Sequence, residues 1–371
     1  MRQIEITEDL EKIIKIGKEL KEEKSNIYQP NVLLEITGTI DKYMPESSEE
    51  VKDAMLYRSI YDYWVYGNTI SEEFYMGLKD KSHEEKLAYV PFRWRMKFVD
   101  FINDRKDEHF FRNKYEAYQL LKPYYLRDVI QVQSDDDYPL FLEFIDKHPV
   151  FVVKPTSLSY GVGVYKVDSS ETENKHELYN RILASGRDIT KNYKWSKNDT
   201  VVLEEIINQV EELSAIHPYS VNGIRISTLR VGEKVHIVYP WFKIGANKEF
   251  VTSAALGTYD AGIDPLTGIV NTDGFKEDGS SESVHPMTGF RFKGYQIPKW
   301  DELVDMISKI ALRLPNVAYI GWDVVLTPKG WCIMEGNYSG EFMWQMFRQE
   351  GFRKELEELT GWKPGNGFWW E

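Results

Sequence analysis

Asp323 lies in the apolar run "YIGWDVVL", and Glu335 and Asn337 close the next one, "GWCIMEGN". Between the runs, "TPKG" carries Pro328 and Gly330, a turn signal, so the pair reads as a β-hairpin. Glu335 and Asn337 are two positions apart and share a strand face, and a hairpin brings Asp323 near them across the ladder. These are metal-type oxygen ligands, and a buried carboxylate is costly unless it is paired or metal-bound. The alternative is three polar strand-end residues facing water.

Other stretches offer matching chemistry. In "FVVKPTSLSYGVGVYKV", Lys154 closes an apolar strand and Gly161 and Gly163 lead into the next. A strand-end lysine can reach phosphate oxygens as a point charge, and a Ser/Gly turn lets backbone N–H groups cover them. No helix follows the glycines, which separates this from the phosphate loop and from the dinucleotide fingerprint. A plain hairpin with a flexible tip remains the other reading. "VVLEEIINQVEE" ends a buried strand with Glu204 and Glu205, and Glu211 follows. Such a strand end can offer backbone groups to an adenine edge and a carboxylate to ribose, or be an acidic turn in water. In "VNGIRISTLRV", Arg225 sits among apolar residues and needs an anionic partner. Arg230 and Lys243 are further candidate catalytic cations nearby, against the alternative of structural salt bridges. His217 and His285 each precede a proline and read as turn-fixing residues rather than general bases.

The elements that must position these groups change character along the chain. "TEDLEKIIKIGKELKEEK", "SSEEVKDAMLYRSIYDYWVYG" and "PFRWRMKFVDFIND" have helical spacing or start signals, so residues 1–105 read as a helical region. Arg93, Arg95 and Lys97 alternate with aromatics on the last of them, as on a half-solvated helix. "EHFFRNKYEAYQLLKPYY" reads as one helix, "RDVIQV" as a strand, "DYPLFLEFIDKH" as a helix and "PVFVVKP" as a strand. A helix near 174–184 and the strand "TVVLEEII" complete a lobe over 106–208. From 209 to 371 the chain is strand-rich at first, with "NGIRISTLRV", "KVHIVYPWFKIG" and "EFVTSAALG". The helix "KWDELVDMISKIALRLP" then leads into the hairpin. This order predicts an α+β fold of two lobes behind a helical N-terminal region.

Composition narrows the class. A chain of 371 residues with 42% hydrophobic and 14% aromatic residues builds a substantial core. A net charge of −13 argues against a general nucleic-acid binder, while leaving room for a local phosphate pocket. The single cysteine, Cys332, excludes an intramolecular disulfide and a cysteine-based zinc site, and it fits a reducing compartment. With no signal-type N-terminus and no run of membrane-spanning length, the expectation is a cytoplasmic protein.

Taken in order, these pieces resemble the ATP-grasp superfamily, and within it the sugar-transfer associated branch found beside polysaccharide-synthesis genes. "HPYSVNGIRISTLR", "HPMTGFRFKGYQIPKW" and "IGWDVVLTPKGWCIMEGN" carry the branch resemblance, which covers roughly residues 105–365. It implies an ATP-grasp fold whose two α+β lobes grip the nucleotide. It also implies an ATP- and Mg²⁺-dependent ligase that joins a carboxylate to an amine or similar nucleophile through an acyl phosphate. Lys154 and Lys114 would contact the phosphates, under a lid from Ser157 through Ser159 and Gly161 to Gly163. Glu204, Glu205 and Ile207 would line the adenine edge and Glu211 would take the ribose. Asp323, Glu335 and Asn337 would hold one or two Mg²⁺, and Arg225 would stabilise the transferring phosphoryl group. The implied partners are small-molecule or glycan-precursor substrates, without nucleic acid or membrane span. The acceptor half departs from the family pattern: Lys243 stands where relatives carry arginine, and Thr252-Ser253 where they carry Asp-Asn. That departure leaves open a kinase acting on a hydroxyl, or a nucleotide-binding subunit without turnover.

Overall fold

The protein is described by a computed structural model over residues 3–158, 161–192, 200–250 and 257–364, with the backbone alone for 188–192. The chain divides into two units, one of Met1–Ile102, Glu277–Ser280 and Glu341–Glu371, the other of Asn103–Lys276 and Ser281–Gly340.

The first unit is helical. It holds α1 (Leu10–Glu23), α2 (Pro30–Tyr43), α3 (Glu49–Tyr66), α4 (Ile70–Tyr75), α5 (His83–Leu87) and α6 (Phe92–Ile102). Asp9 caps α1 by accepting from the N–H groups of Glu11 and Lys12, and Ser48 caps α3 by accepting from Val51. Ile13, Ile16 and Leu20 of α1 join Leu56, Ile60 and Trp64 of α3 in one apolar cluster. Gly17 permits the close approach, because a Cβ there would lie 2.0 Å from the Tyr57 carbonyl oxygen. Aromatic alternation on α6 serves this unit too: Trp94 and Phe98 are buried, and both meet Trp362 edge-on.

The second unit begins with α7 (His109–Arg112) and α8 (Lys114–Tyr125). One helix is expected over this stretch; two form because the Asn113 side chain accepts from the N–H groups of Tyr115 and Glu116 and starts a new one. Next come β1 (Val129–Val132), α9 (Tyr138–Lys147), β2 (Val150–Pro155), β3 (Tyr165–Asp168), α10 (Lys175–Asn192) and β4 (Val201–Glu205). The strands form an antiparallel sheet in the order β1-β4-β2-β3. Phe141, Phe144, Phe151, Val153, Tyr179, Ile182 and Leu203 lie in the core that covers it.

After α11 (Glu211–Ile216), a second sheet is built from β5 (Gly223–Val231), β6 (Lys234–Gly245), β7 (Thr258–Gly262), β8 (Gly274–Phe275) and β9 (Ser281–Glu282). Following α12 (Trp300–Leu312), β10 (Tyr319–Thr327) and β11 (Gly330–Asn337) form the expected hairpin. The strand order is β11-β10-β5-β6-β7-β8-β9. The strand expected over "EFVTSAALG" falls mostly on residues 251–256, outside the described residues. Asn103 ties the hairpin to the start of the unit: its buried amide donates to the carbonyls of Tyr319 and Tyr338 and accepts from the N–H groups of Ala318 and Tyr319. All four hydrogen-bonding positions of that amide are used.

The chain then returns to the helical unit with α13 (Trp344–Arg348) and α14 (Arg353–Thr360). Gln345 is buried there and pairs with the backbone of Val90 through both its amide atoms, at 2.7 and 3.0 Å. Among the described residues, no helix is long and apolar enough to cross a membrane.

The helical unit also buries charge. Asp62 and Glu73 are fully enclosed; Lys86 reaches Asp62 at 2.9 Å, and Asn68 donates to Glu73. Burial and the facing Asp62 carboxylate hold the Glu73 carboxyl well above its ordinary range, so it keeps a proton to share with Asp62. A raised folded pKa gives stability that is fully present below the unfolded pKa, about 4.3, and drains as pH rises toward the folded value. Glu73→Gln, which still donates but does not titrate, is expected to remove that decline. Thermal unfolding from pH 4 to 9 checks this: wild type should lose Tm across the range and the variant should not.

Candidate active site

The hairpin does place the three oxygen-bearing residues together. Asp323 is the direct cross-strand partner of Glu335, and the Asn337 amide donates to Asp323 Oδ2 at 3.2 Å. The register slips between Asp323 and Val324, because Val324 pairs with Ile333 and Met334 is the extra residue of a β-bulge. On the other side of Asp323, β5 supplies Arg225 as its cross-strand partner, with guanidinium and carboxylate 2.5 Å apart. Lys243 of β6 approaches the other Asp323 oxygen at 3.8 Å. Four neighbouring strands thus build one charged row inside a largely apolar sheet. Gly321 leaves space for the row: a Cβ there would stand 3.0 Å from Arg225 Nε.

Lys114 enters from α8. It is the first residue after the Asn113 cap, its N–H donates to the Thr156 carbonyl at 2.8 Å, and its ammonium lies 3.6 Å from Glu335. The same ammonium donates to the Leu158 carbonyl, at the start of the expected lid. Lys154, at the end of β2, pairs with Glu204 at 2.8 Å. Thr156, just before the expected lid, donates to the Thr200 carbonyl, and Gly161 and Gly163 both adopt positive φ, at 74° and 70°. Ser157 is half-buried; Ser159, like Thr252 and Ser253, lies outside the described residues.

Not every expected residue joins this cluster. Glu204 and Glu205 point to opposite sides of β4: Glu204 is buried against Lys154, whereas Glu205 accepts from the Asp128 N–H and lies 3.7 Å from Lys329. Ile207 is half-buried in the extended segment after β4, and Glu211 is exposed at the first position of α11. Arg230 departs from expectation. It lies five positions from Arg225, hence on the other face of β5, and it donates to the carbonyls of Gly232 and Pro315. His217 and His285 are fully buried turn-fixers: His285 bonds to the Gly245 carbonyl at 2.8 Å and His217 to Ser220 at 3.1 Å, bracing the end of β6 just beyond Lys243.

Sequence reasoning missed Arg127. It follows Leu126, which ends α8 with a left-handed φ of 49°, and its guanidinium contacts Glu204 at 2.8 Å. The sequence signal was a cation directly before the strand "DVIQV".

Opposite charge governs the titration of this site. Burial alone would raise the Asp323 pKa, but Arg225 and Lys243 hold it below the ordinary carboxylate range. Glu204 is likewise opposed by burial and brought down to about 2 by Arg127 and Lys154. Lys114, Lys154, Arg225, Lys243 and Arg127 gather around the carboxylates Glu204, Asp323 and Glu335. Such a cluster of cations in a protein of net charge −13 suits a polyanion such as a triphosphate. Asp323 and Glu335 stay 21% and 35% exposed, and with Asn337 they offer hard oxygen atoms to a cation of Mg²⁺ type.

A protein-family model described as sugar-transfer associated ATP-grasp matches residues 93–361. No match is found among curated proteins. Similar solved structures include D-alanine–D-alanine ligase from Helicobacter pylori, at 15% identity over 74% of this chain and 67% of that one, with a TM-score of 0.41. D-cycloserine synthetase DcsG is 13% identical over 72% of this chain and 82% of that one, TM-score 0.39. The ATP-grasp ligase PsnB, solved with its minimal precursor, is 12% identical over 71% of this chain, TM-score 0.37. The chain spans 59% of the length of PsnB.

The lowered Glu204 pKa has a measurable consequence. Its stabilisation is fully present above the ordinary value of 4.5 and is lost as pH falls toward 2. The shift corresponds to on the order of 3 kcal/mol. Glu204→Gln should flatten the acid limb of Tm between those values and leave the slope due to Asp323. Unfolding curves from pH 2 to 7 test this; an unchanged acid limb would contradict it.

Proposed function

The chain belongs to the sugar-transfer associated ATP-grasp family, and from that premise we propose an ADP-forming ligase that joins a carboxylate to an amine or a similar nucleophile. The observation that carries the proposal is the row Glu335–Asp323–Arg225 with Lys243, Lys114 and Lys154 beside it. It combines metal-type oxygen donors with a cluster of cations that can turn to phosphate oxygens.

A carboxylate is a poor acyl donor because its leaving group would be oxide. In the proposed reaction a carboxylate oxygen attacks the γ-phosphorus of ATP. The P–O bond to it forms, the bond to the β–γ bridging oxygen breaks, and ADP leaves with that electron pair. The amine lone pair then attacks the carbonyl carbon, phosphate departs, and the amine gives up a proton. Little of this is covalent chemistry by the protein, which supplies position and charge. Lys154 and Lys114 exchange their present carboxylate partners for phosphate oxygens. Arg225 meets the transferring phosphoryl group and the acyl phosphate, and Lys243 stands toward the acceptor. Glu204 and Ile207 border the adenine, and Glu205 contributes through the backbone of the strand end; Glu211 takes the ribose hydroxyls. Asp323, Glu335 and Asn337 would hold Mg²⁺, which when bound neutralises the charge gathered on the triphosphate. The segment from Ser157 to Gly163 would close over the phosphates and keep water from the acyl phosphate. As the carboxylate we propose a sugar acid, an amino acid or a cell-surface glycan precursor, a choice to which the family's association with sugar transfer lends support.

Incubation with Mg²⁺-ATP, a pool of amino and sugar acids, and hydroxylamine tests the reaction. A hydroxamate identifies the activated acid by mass. ADP with a phosphorylated product and no hydroxamate would overturn the ligase in favour of hydroxyl phosphorylation. Glu335→Gln is expected to lower ADP release by about 10²–10³-fold while the far-UV spectrum and Tm stay near wild type. Near-normal turnover by that variant would remove Glu335 from the metal site.

A further inference from the structure

Arg127 touches both sheets of its unit. On one side, its Nε and Nη2 meet the same Glu204 oxygen at 2.9 and 2.8 Å. On the other, Nη1 donates to the Ile333 carbonyl at 2.6 Å and Nη2 to the Met334 carbonyl at 3.3 Å. The remaining Nη1 direction reaches the Tyr125 carbonyl at 3.2 Å, and the guanidinium lies over the Tyr125 ring. All donor directions of the fork are therefore occupied. The side chain is only 3% exposed.

The two carbonyls it holds are not ordinary ladder groups. β11 is the edge strand of its sheet, and Met334 is the extra residue where the register with β10 slips. A bulge takes backbone groups out of the ladder, and buried carbonyls then need donors from elsewhere. Arg127 provides them on both sides of Met334, to the carbonyls of the Ile333–Met334 and Met334–Glu335 peptides. The next residue is Glu335, and the bulge decides that Glu335, rather than its neighbour, stands opposite Asp323.

We propose that Arg127 is a positioning residue that couples the nucleotide-side carboxylate Glu204 to the bulge presenting Glu335 to the metal. The inference rests on the functional reading above and extends it to a residue outside the proposed contact set. When Lys154 turns to phosphate, Arg127 remains as the partner of Glu204, and the peptide before Glu335 stays fixed. A lysine at position 127 could pair with Glu204 but could not also span two carbonyls and a carboxylate from a planar fork.

The test measures ADP binding by calorimetry on the full-length protein, with and without Mg²⁺, for wild type, Arg127→Lys and Arg127→Met. In Arg127→Lys, Mg²⁺-free ADP affinity should stay within about threefold of wild type, while the tightening produced by Mg²⁺ falls about tenfold or more. Arg127→Met should lose both, and if it fails to fold the lysine variant alone decides. An unchanged Mg²⁺ effect in Arg127→Lys would overturn the proposal, as would equal loss of affinity with and without Mg²⁺. Wild-type protein that binds no ADP in either condition would instead overturn the ATP-dependent reading, and this proposal with it. The two failures are thus distinguishable.

Discussion

The pairing of Asp323 with Arg225 is the constraint around which the second sheet is organised. Two strands from distant parts of the sequence carry opposite charges at the same register position, in a sheet whose buried positions are mostly apolar. Either charge alone would be strongly destabilising there, and together they are tolerated because each is the other's partner. The pair fixes the alignment of β10 with β5, since a one-residue slip of either strand would turn its charge to the other face, away from its partner. It also sets what can surround it: Gly321 must lack a side chain, Asn337 must donate, and Lys243 must lie close enough to contribute its charge.

The helical unit meets the same problem differently. Asp62 is paired with Lys86, and Glu73 beside it is kept neutral by burial and by the Asp62 charge. Neutralisation by a proton makes a compact polar interior without a further cation, and it ties this unit to pH. In the sheet unit, permanent cations keep Glu204 and Asp323 ionised. If the cluster takes a charged ligand, as proposed, it needs such charges; a structural core does not.

Much of this was legible in the sequence because it is local. The alternation in "NGIRISTLRV", the turn residues in "TPKG", and the capping pattern before α3 each depend on neighbours within a few positions. The hairpin placed Asp323, Glu335 and Asn337 together as the spacing suggested. Parity along β5 was also available, and it separates Arg230 from Arg225. What could not be read is the bulge at Met334, whose carbonyls are held by a side chain two hundred positions earlier in the chain. Nor does periodicity announce that α13 and α14 return to the helical unit; Gln345 and Trp362 find their partners through long-range packing on Val90, Trp94 and Phe98.

Lys114 and Lys154 are already neutralised, one near Glu335 and against a carbonyl, the other by Glu204. A lysine that faces open solvent attracts a cloud of mobile anions, and a phosphate that displaces them gains their freedom. Under the proposed function an arriving phosphate would displace a carboxylate that is covalently part of the protein and stays where it is. Binding at these two positions would then be an exchange among fixed charges, releasing fewer mobile anions than at an exposed lysine, and its dependence on salt would be shallower. What would change on occupancy is the internal balance of Glu204 and Glu335.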